Sequence, residues 1–276
     1  MSAQSFSVVT NLSSLYAQQN LYTSNSGLNK TIGRISSGYR VVDAGDDAAG
    51  LAISNRLGAD VYALDQAYRN ANDGSGIIQI ADGALSKVTD LLNRAVTLAE
   101  QSASGTIGDS ERTTIDVEYN QIKSEIDRIF DSVNFKGTKL FSTSAVKMDI
   151  FVGDTTIQST ITLSVGGAAS TTSLGLTSAL TTAAGAKTAL GEIRDAIGSI
   201  SRWRGVLGAQ QNRLTNSIAI IQNQATNLRG AQSIIRDANM AEEMVNMTKF
   251  QILMQSGMSA LSQANASSQM VLSLFQ

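Results

Sequence analysis

The sequence predicts a mainly α protein in which long, coiled-coil-like helices from both chain ends pack together, with a small β-hairpin region in the middle of the chain. Three observations carry that expectation. Apolar residues recur at alternating steps of three and four over several long stretches, which is the pattern of a helix–helix seam. There is no Pro among the 276 residues, where about 14 would be ordinary at ~5% usage, so nothing of that kind interrupts a long helix. One stretch, Val146 to Val152, switches to period two, as a half-buried strand does.

Taken in order, Val8, Leu12, Leu15 and Tyr22, then Leu28, Ile32 and Ile35, predict a first helix from about 5 to 35. Asp46 or Asp47 is placed to cap a second helix that enters at Ala48-Ala49. Along it, positions 57, 61, 64, 68, 71, 75, 78, 82, 85, 89, 92, 96 and 99 are apolar except for Ser75, Asp82 and Thr89. Gly105 and Gly108 break the pattern, and Asp109 or Ser110 starts a third helix. Its stripe is Ile115, Tyr119, Ile122, Ile126, Ile129 and Val133.

Between about 138 and 182 the texture changes. Val146, Met148, Ile150 and Val152 alternate with Lys147, Asp149 and Phe151, and the stretch from Thr156 to Val165 is rich in Thr, Ile and Val. Gly153-Asp154 lies between them, so a β-hairpin is expected. The helical pattern then returns from Leu190 to Ile235, with Arg204, Gln211 and Gln232 as the polar exceptions. After a one-residue phase slip it resumes as Met240, Met244, Met247, Gln251, Met254, Met258, Leu261, Asn265, Ser268, Leu272 and Phe275. Together the two runs hold about 85 helical residues, which would span roughly 125 Å, and they read as a core helix followed by a tail helix. The chain goes out and returns, which places both termini at one end.

Charge is distributed unevenly. Net charge is −2 and the pI about 5.2, so there is no electrostatic footprint for nucleic acid. No Lys, Arg, Asp or Glu occurs from Met1 to Asn29 or from Phe250 to Gln276. A soluble monomer gains little from two uncharged amphipathic tails. A subunit that buries them against copies of itself avoids the cost of burying charge. Nor do the tails carry the Lys/Arg-rich polar face of a membrane-surface helix. No apolar run reaches the 18 residues of a membrane span. The first thirty residues lack a basic region followed by an apolar core, so no secretory signal peptide is expected.

Enzymatic chemistry finds little to use. With no Cys there are neither disulfides nor thiolate metal sites, and with no His the commonest general base and metal ligand is missing. Asp43, Asp46 and Asp47 lack the spacing of a calcium loop and read as caps and partners for Arg34 or Arg40. Gly74-Ser75-Gly76 lacks the strand before and the Gly-Lys-Ser/Thr after that a phosphate loop needs. Glu100 and Glu118 read as solvated helix faces. No catalytic residue, cofactor or metal is expected. Six of the eight Met lie between 240 and 270. They suit a helix seam, and also an adaptable surface for a partner.

The residues from Arg34 to Leu57, RISSGYRVVDAGDDAAGLAISNRL, are similar to the N-terminal signature of bacterial flagellins. RNANDG (69–74) resembles a second signature, and LGAQQNRLTNSI (207–218) and the closing run from Asn246 to Gln276 resemble the flagellin C-terminal region. The likeness covers about 1–137 and 185–276. It implies an inner terminal-helix domain of residues 1–47 and 233–276 that forms the filament core. Residues 48–232 would form a helical domain with the hairpin. Only about 45 residues separate the two halves, so outer variable domains are expected to be missing.

The resemblance also implies a role. Flagellins are secreted without a cleavable signal peptide, exported unfolded through the flagellar type III apparatus, and polymerise into the extracellular filament. The implied partners are identical subunits, filament cap and hook-junction proteins, and an export chaperone at the C-terminal helix. Self-assembly is expected to use Leu12, Leu15, Leu28, Ile32, Ile35, Met244, Met247, Met254, Met258, Leu261, Leu272 and Phe275. A Toll-like innate receptor that contacts some flagellins would, by alignment of 101–103 and 125–128, meet Arg94, Leu98 and Glu118, with Thr97 where the family usually carries Glu. Gly45 likewise stands where flagellins often carry Lys. The alternative is a hook–filament junction protein, which shares the terminal helices. The zinc protease borne by some flagellins needs His-Glu-x-x-His, which a chain without His cannot supply.

Overall fold

The computed structural model describes residues 10–142, 146–153, 160–167 and 170–273. Val8 and Phe275 lie outside them, as does the side chain of Leu272. Five helices and two hairpins are seen among the described residues: α1 (Leu12–Ser37), α2 (Ala48–Ala103), α3 (Asp109–Ser132), β1 (Asn134–Phe135), β2 (Thr138–Lys139), β3 (Val146–Phe151), β4 (Thr160–Val165), α4 (Ala183–Arg236) and α5 (Met240–Ser273). They divide into two compact units, residues 1–59 with 228–276 and residues 60–227.

The first unit is built on the antiparallel pair α1 and α5. Asn11 caps α1 by accepting the Ser14 N–H at 3.0 Å, and its amide donates to the Ala264 carbonyl and to Ser268 on the last turns of α5. The inward face of α1 runs through Asn11, Ser14, Ala17, Leu21, Ser24, Leu28, Thr31 and Ile35. That of α5 runs through Glu243, Met247, Phe250, Met254, Gly257, Leu261, Ala264 and Ser268. Both sets keep the 3–4 spacing, but much of the α1 face is small or hydroxylated. Ser24 and Thr31 satisfy their hydroxyls on the carbonyls of Asn20 and Gly27, one turn back. Gly27 makes room for an aromatic ring: a Cβ there would lie 2.6 Å from Phe250.

The same unit contains a junction of two connectors. Gly38 ends α1 in the left-handed conformation that glycine adopts at little cost. Its carbonyl accepts the Ala238 N–H, the Arg40 N–H donates to the Arg236 carbonyl at 2.7 Å, and the Arg236 guanidinium stacks on Tyr39 at 4.2 Å. The phase slip between Ile235 and Met240 falls where a core helix gives way to a tail helix. Residues 237–239 separate α4 from α5, because their backbone is engaged by Gly38 and Tyr39 and Asn239 caps the new helix through the Ala241 N–H. As expected, Asp47 caps α2 through the Gly50 N–H. Asp46 pairs with Lys30 at 3.3 Å and Arg34 at 3.8 Å, whereas Arg40 donates to the Ile235 carbonyl.

The second unit buries the larger core, including Leu85, Leu92, Tyr119, Ile126, Phe130, Phe141, Leu163, Leu180, Ile193 and Ile200. Phe130 and Phe141 meet edge to face at 5.2 Å. Burial, with Glu192 and Asp116 adding like charge, pushes the Tyr119 hydroxyl up to about 12, so it stays neutral. The expected hairpin forms with Val146 opposite Val165 and Phe151 opposite Thr160. The smaller β1–β2 hairpin precedes it, turning at Lys136 and Gly137 with φ of 48° and 84°. As expected, Asp109 starts α3; Gly108 precedes it, and no side chain caps the first turn.

The Ser/Thr-rich return, residues 170–182, is held by acids from the helices on either side of it in sequence. Asp127 accepts from Thr171 N–H and hydroxyl, and Asp116 from Leu180 N–H. Glu192 accepts four hydrogen bonds, from the N–H and hydroxyl groups of Thr177 and Ser178 at 2.8–3.0 Å. Burial works to raise the Glu192 carboxyl, but the bonds from Ser178 and Thr177 outweigh it and hold the group below its ordinary value.

Candidate functional site

The feature that stands out chemically is the outward side of the α1–α5 pair. A helix on a protein surface normally shows one apolar stripe, whereas one apolar on all sides is a buried helix. α5 has its inward face on α1, and it also presents Met244, Val245, Ile252, Leu253 and Met258 outward. Val245 is 68% and Ile252 58% exposed. Residues Met244, Val245, Thr248, Lys249, Ile252 and Leu253 line a shallow groove on this side. α1 adds Leu12, Leu15, Tyr16, Tyr22 and Ile32, of which Tyr22 is 78% exposed. Each such side chain gains roughly 1.5–3 kcal/mol when fully covered.

The residues expected to mediate self-assembly fall into three groups. Leu12, Leu15, Ile32, Met244 and Met258 are exposed. Leu28, Ile35, Met247, Met254 and Leu261 are half-buried on the faces that pack α1 against α5. Leu272 and Phe275 were assigned to the same surface and lie outside the described side chains. Sequence reasoning missed Val245, Ile252 and Leu253, because it followed a single stripe. The spacing of seven between Val245 and Ile252 is the signal of a second one.

Charge gathers at the inner end of the pair. Arg34 reaches Glu243 at 3.4 Å as well as Asp46. Hydrogen bonding from Lys30, with the positive charges of Lys30 and Arg34, holds the Asp46 carboxyl below its ordinary range. Away from this cluster, the described parts of the uncharged segments offer only neutral surface.

The residues assigned to an innate receptor separate. Arg94 and Glu118 are exposed and joined by hydrogen bonds of 2.9 and 2.8 Å across α2 and α3. Leu98 is 2% exposed and belongs to the core. A second groove, between α2 and α3, has Ile80, Gly83, Ala84, Leu91, Ile129 and Val133 on its walls and ion pairs Lys87–Asp90 and Arg128–Glu125 beside them. No group of three Asp or Glu is placed to hold a metal among the described residues. Among them, no helix is long and apolar enough to cross a membrane.

Comparison with known proteins agrees with this architecture. Residues 8–145 match the bacterial flagellin N-terminal helical region, and residues 190–275 match the bacterial flagellin C-terminal helical region. The chain is 35% identical to the flagellar filament 33 kDa core protein of Treponema phagedenis, over 96% of this chain and 98% of that one. It is 37% identical to a flagellin of Halalkalibacterium halodurans with the same coverage. The crystal structure of Bacillus cereus flagellin is similar with a TM-score of 0.50 and 33% identity, covering 59% of this chain and 94% of that one. A putative flagellar hook-associated protein from Vibrio parahaemolyticus shares the fold, with a TM-score of 0.59 at 14% identity, over 69% of this chain and 99% of that one. The chain belongs to the bacterial flagellin family.

Proposed function

We propose that this chain is a structural subunit that self-assembles into the extracellular filament of the bacterial flagellum and serves swimming motility. The observation that carries the reading is α5, apolar on the side facing α1 and again on the side facing solvent. In an isolated chain the outward side is a cost. In a polymer it is buried by neighbouring copies through a heterologous contact that repeats without closing, which generates a filament rather than a ring. The uncharged stretches make that burial cheap in desolvation.

In this reading residues 1–47 and 233–276 line the filament core and residues 48–232 lie outside them. The subunit does no catalysis and is exported unfolded through the flagellar type III apparatus, without a cleavable signal peptide. The adaptable Met face of α5 suits an export chaperone before it suits a neighbour. Cap and hook-junction proteins meet the same terminal helices at the filament ends. Toll-like recognition would rest on the exposed Arg94–Glu118 pair without the expected contact at Leu98, which is buried in the core. The junction-protein alternative draws on the fold alone, whereas 35% identity to a filament core protein over 96% of this chain supports the filament.

The test is elongation of short filament fragments by purified monomer, followed by negative-stain electron microscopy. Long smooth filaments are the expected result, and Ile252→Asp should abolish them while leaving the monomer folded. Attachment at fragment ends without growth would favour the junction protein.

A further inference from the structure

Six of the eight Met lie between 240 and 270, in a chain with no Cys and no His. Met240, Met244 and Met258 are 45%, 48% and 52% exposed, and Met270, 58% exposed, lies about 120° round the helix from Met240. At about 100° per residue, Met258 returns to the bearing of Met240 and Met244 lies about 40° away, so one face of α5 carries all three. Met247 and Met254 flank that face, half-buried toward α1. Thioethers are therefore the readily oxidised sulfur of this molecule, and three of them sit open on the side that a neighbouring subunit would cover.

We propose that Met240, Met244 and Met258 form an oxidation site that gates assembly: a peroxide converts them to sulfoxides in the free subunit, and the sulfoxides bar it from the polymer. The inference rests on the assembly reading above. In the reaction a sulfur lone pair attacks one peroxide oxygen, the O–O bond breaks and an S=O bond forms. The sulfur loses two electrons, and the second oxygen leaves as water with both peroxide protons. The product is polar and chiral where the side chain had been apolar and pliable. Burying such an acceptor without a donor is unfavourable; Met258 lies in the uncharged stretch from Phe250 onward, and Lys249 is, among the described residues, the one cation lining the groove beside Met244. Once copies cover the face, peroxide no longer reaches it, so the gate acts on subunits and spares the filament. Sulfoxide reductases reverse the change.

Monomer and preformed filament are each treated with hydrogen peroxide and mapped by peptide mass spectrometry, and the monomers are then offered to untreated filament fragments. The expected result is one added oxygen at each of the three positions in monomer but not in filament. Elongation should slow at least about tenfold, since one unpaired buried polar group costs a decade or more in association. Sulfoxide reductases of both stereospecificities should restore it. In the variant Met240→Leu/Met244→Leu/Met258→Leu, close in volume, peroxide should leave elongation at that variant's own untreated rate, with Met270 the exposed thioether that remains on α5. Oxidised monomer that elongates at the untreated rate overturns the gate, as does a reductase-treated monomer that stays inert. If the leucine variant does not grow even untreated, the reductase arm decides. Untreated wild type that never elongates overturns the assembly reading itself, a result distinct from failure of the gate.

Discussion

Arg204 on α4 donates to both carboxylate oxygens of Asp82 on α2, at 2.8 and 3.3 Å. Seven residues back on α2, Ser75 accepts from Gln211, seven residues onward on α4, at 2.7 Å. In the first unit Gln232 reaches the Ser54 carbonyl at 3.2 Å. The polar interruptions of the two long heptad series are thus partnered, four of them with each other as two pairs. Misaligning α2 against α4 would leave a guanidinium and an amide facing Leu or Ile. Such pairs fix register more than they add stability.

The Asp82–Arg204 pair is about 40% exposed on both sides, so its coupling should be small. A double-mutant cycle with Asp82→Ala and Arg204→Ala, followed by urea unfolding, is expected to give about 0.5–1 kcal/mol. A coupling above roughly 2 kcal/mol would mean that the pair is a stability element and the register argument is misplaced.

Gly166 faces the only Trp in the chain. A Cβ at that position would lie 2.5 Å from the Trp203 ring system. Gly166→Ala therefore has to displace the indole, and overpacking of this kind costs about 1–3 kcal/mol. Trp203 fluorescence reads the displacement directly: a red-shifted emission and a lowered unfolding midpoint are expected. Unchanged emission and midpoint would place the ring elsewhere in solution.

Much of this fold was legible, and the errors share a cause. Of the α2 positions anticipated by the 3–4 rule, Val61, Leu64, Ala71, Ile78, Leu85, Leu92 and Ala99 are buried. Tyr68, Ser75, Asp82, Thr89 and Val96 are each displaced outward, and the residue before each is buried instead: Ala67, Gly74, Ala81, Val88 and Ala95. Where helices approach closely, small side chains take the seam, and a rule that looks for bulk steps past them. The same bias assigned Leu12 and Leu15 to the α1 stripe, where Asn11 and Ser14 face inward. The break at 237–239 left no Gly or Pro to read, only the one-residue phase slip after Ile235, because what holds it is the distant Gly38–Arg40 backbone. The β1–β2 hairpin did leave a signal, Lys136-Gly137, inside a helical tail that drew attention away from it. Of the proposed assembly surface, the uncharged tails were plain in the sequence, while the second stripe on α5 left only the seven-residue spacing of Val245 and Ile252 as its signal.

Two variants of α5 separate fold from assembly. Leu261→Asp places a carboxylate on the half-buried face against α1, at a cost of roughly 2 kcal/mol or more. It should lower α-helical far-UV signal and block filament growth together. Ile252→Asp alters the outward side alone and should block growth with the helical signal intact. Normal filaments from Leu261→Asp would remove the packed α1–α5 pair from the account of assembly.

The acid sensitivity of the second unit should trace in part to Glu192. Its carboxyl is held below the ordinary value of 4.5 in the folded chain, so the unfolded chain binds that proton more tightly. The contribution to stability is complete above the unfolded value and is lost as pH falls through the folded one. A glutamine at this position keeps an acceptor but not the charge, and charge-assisted bonds to Thr177 and Ser178 become ordinary ones. Glu192→Gln is therefore expected to cost about 1–2 kcal/mol near neutrality and to lose less than wild type between about pH 5 and pH 3. Asp46 and Glu125, whose carboxyls are also held low, are common to both proteins and cancel in the difference. Thermal unfolding of the two proteins across that range makes the comparison, and curves that stay parallel would show that Glu192 keeps its proton balance unchanged on folding.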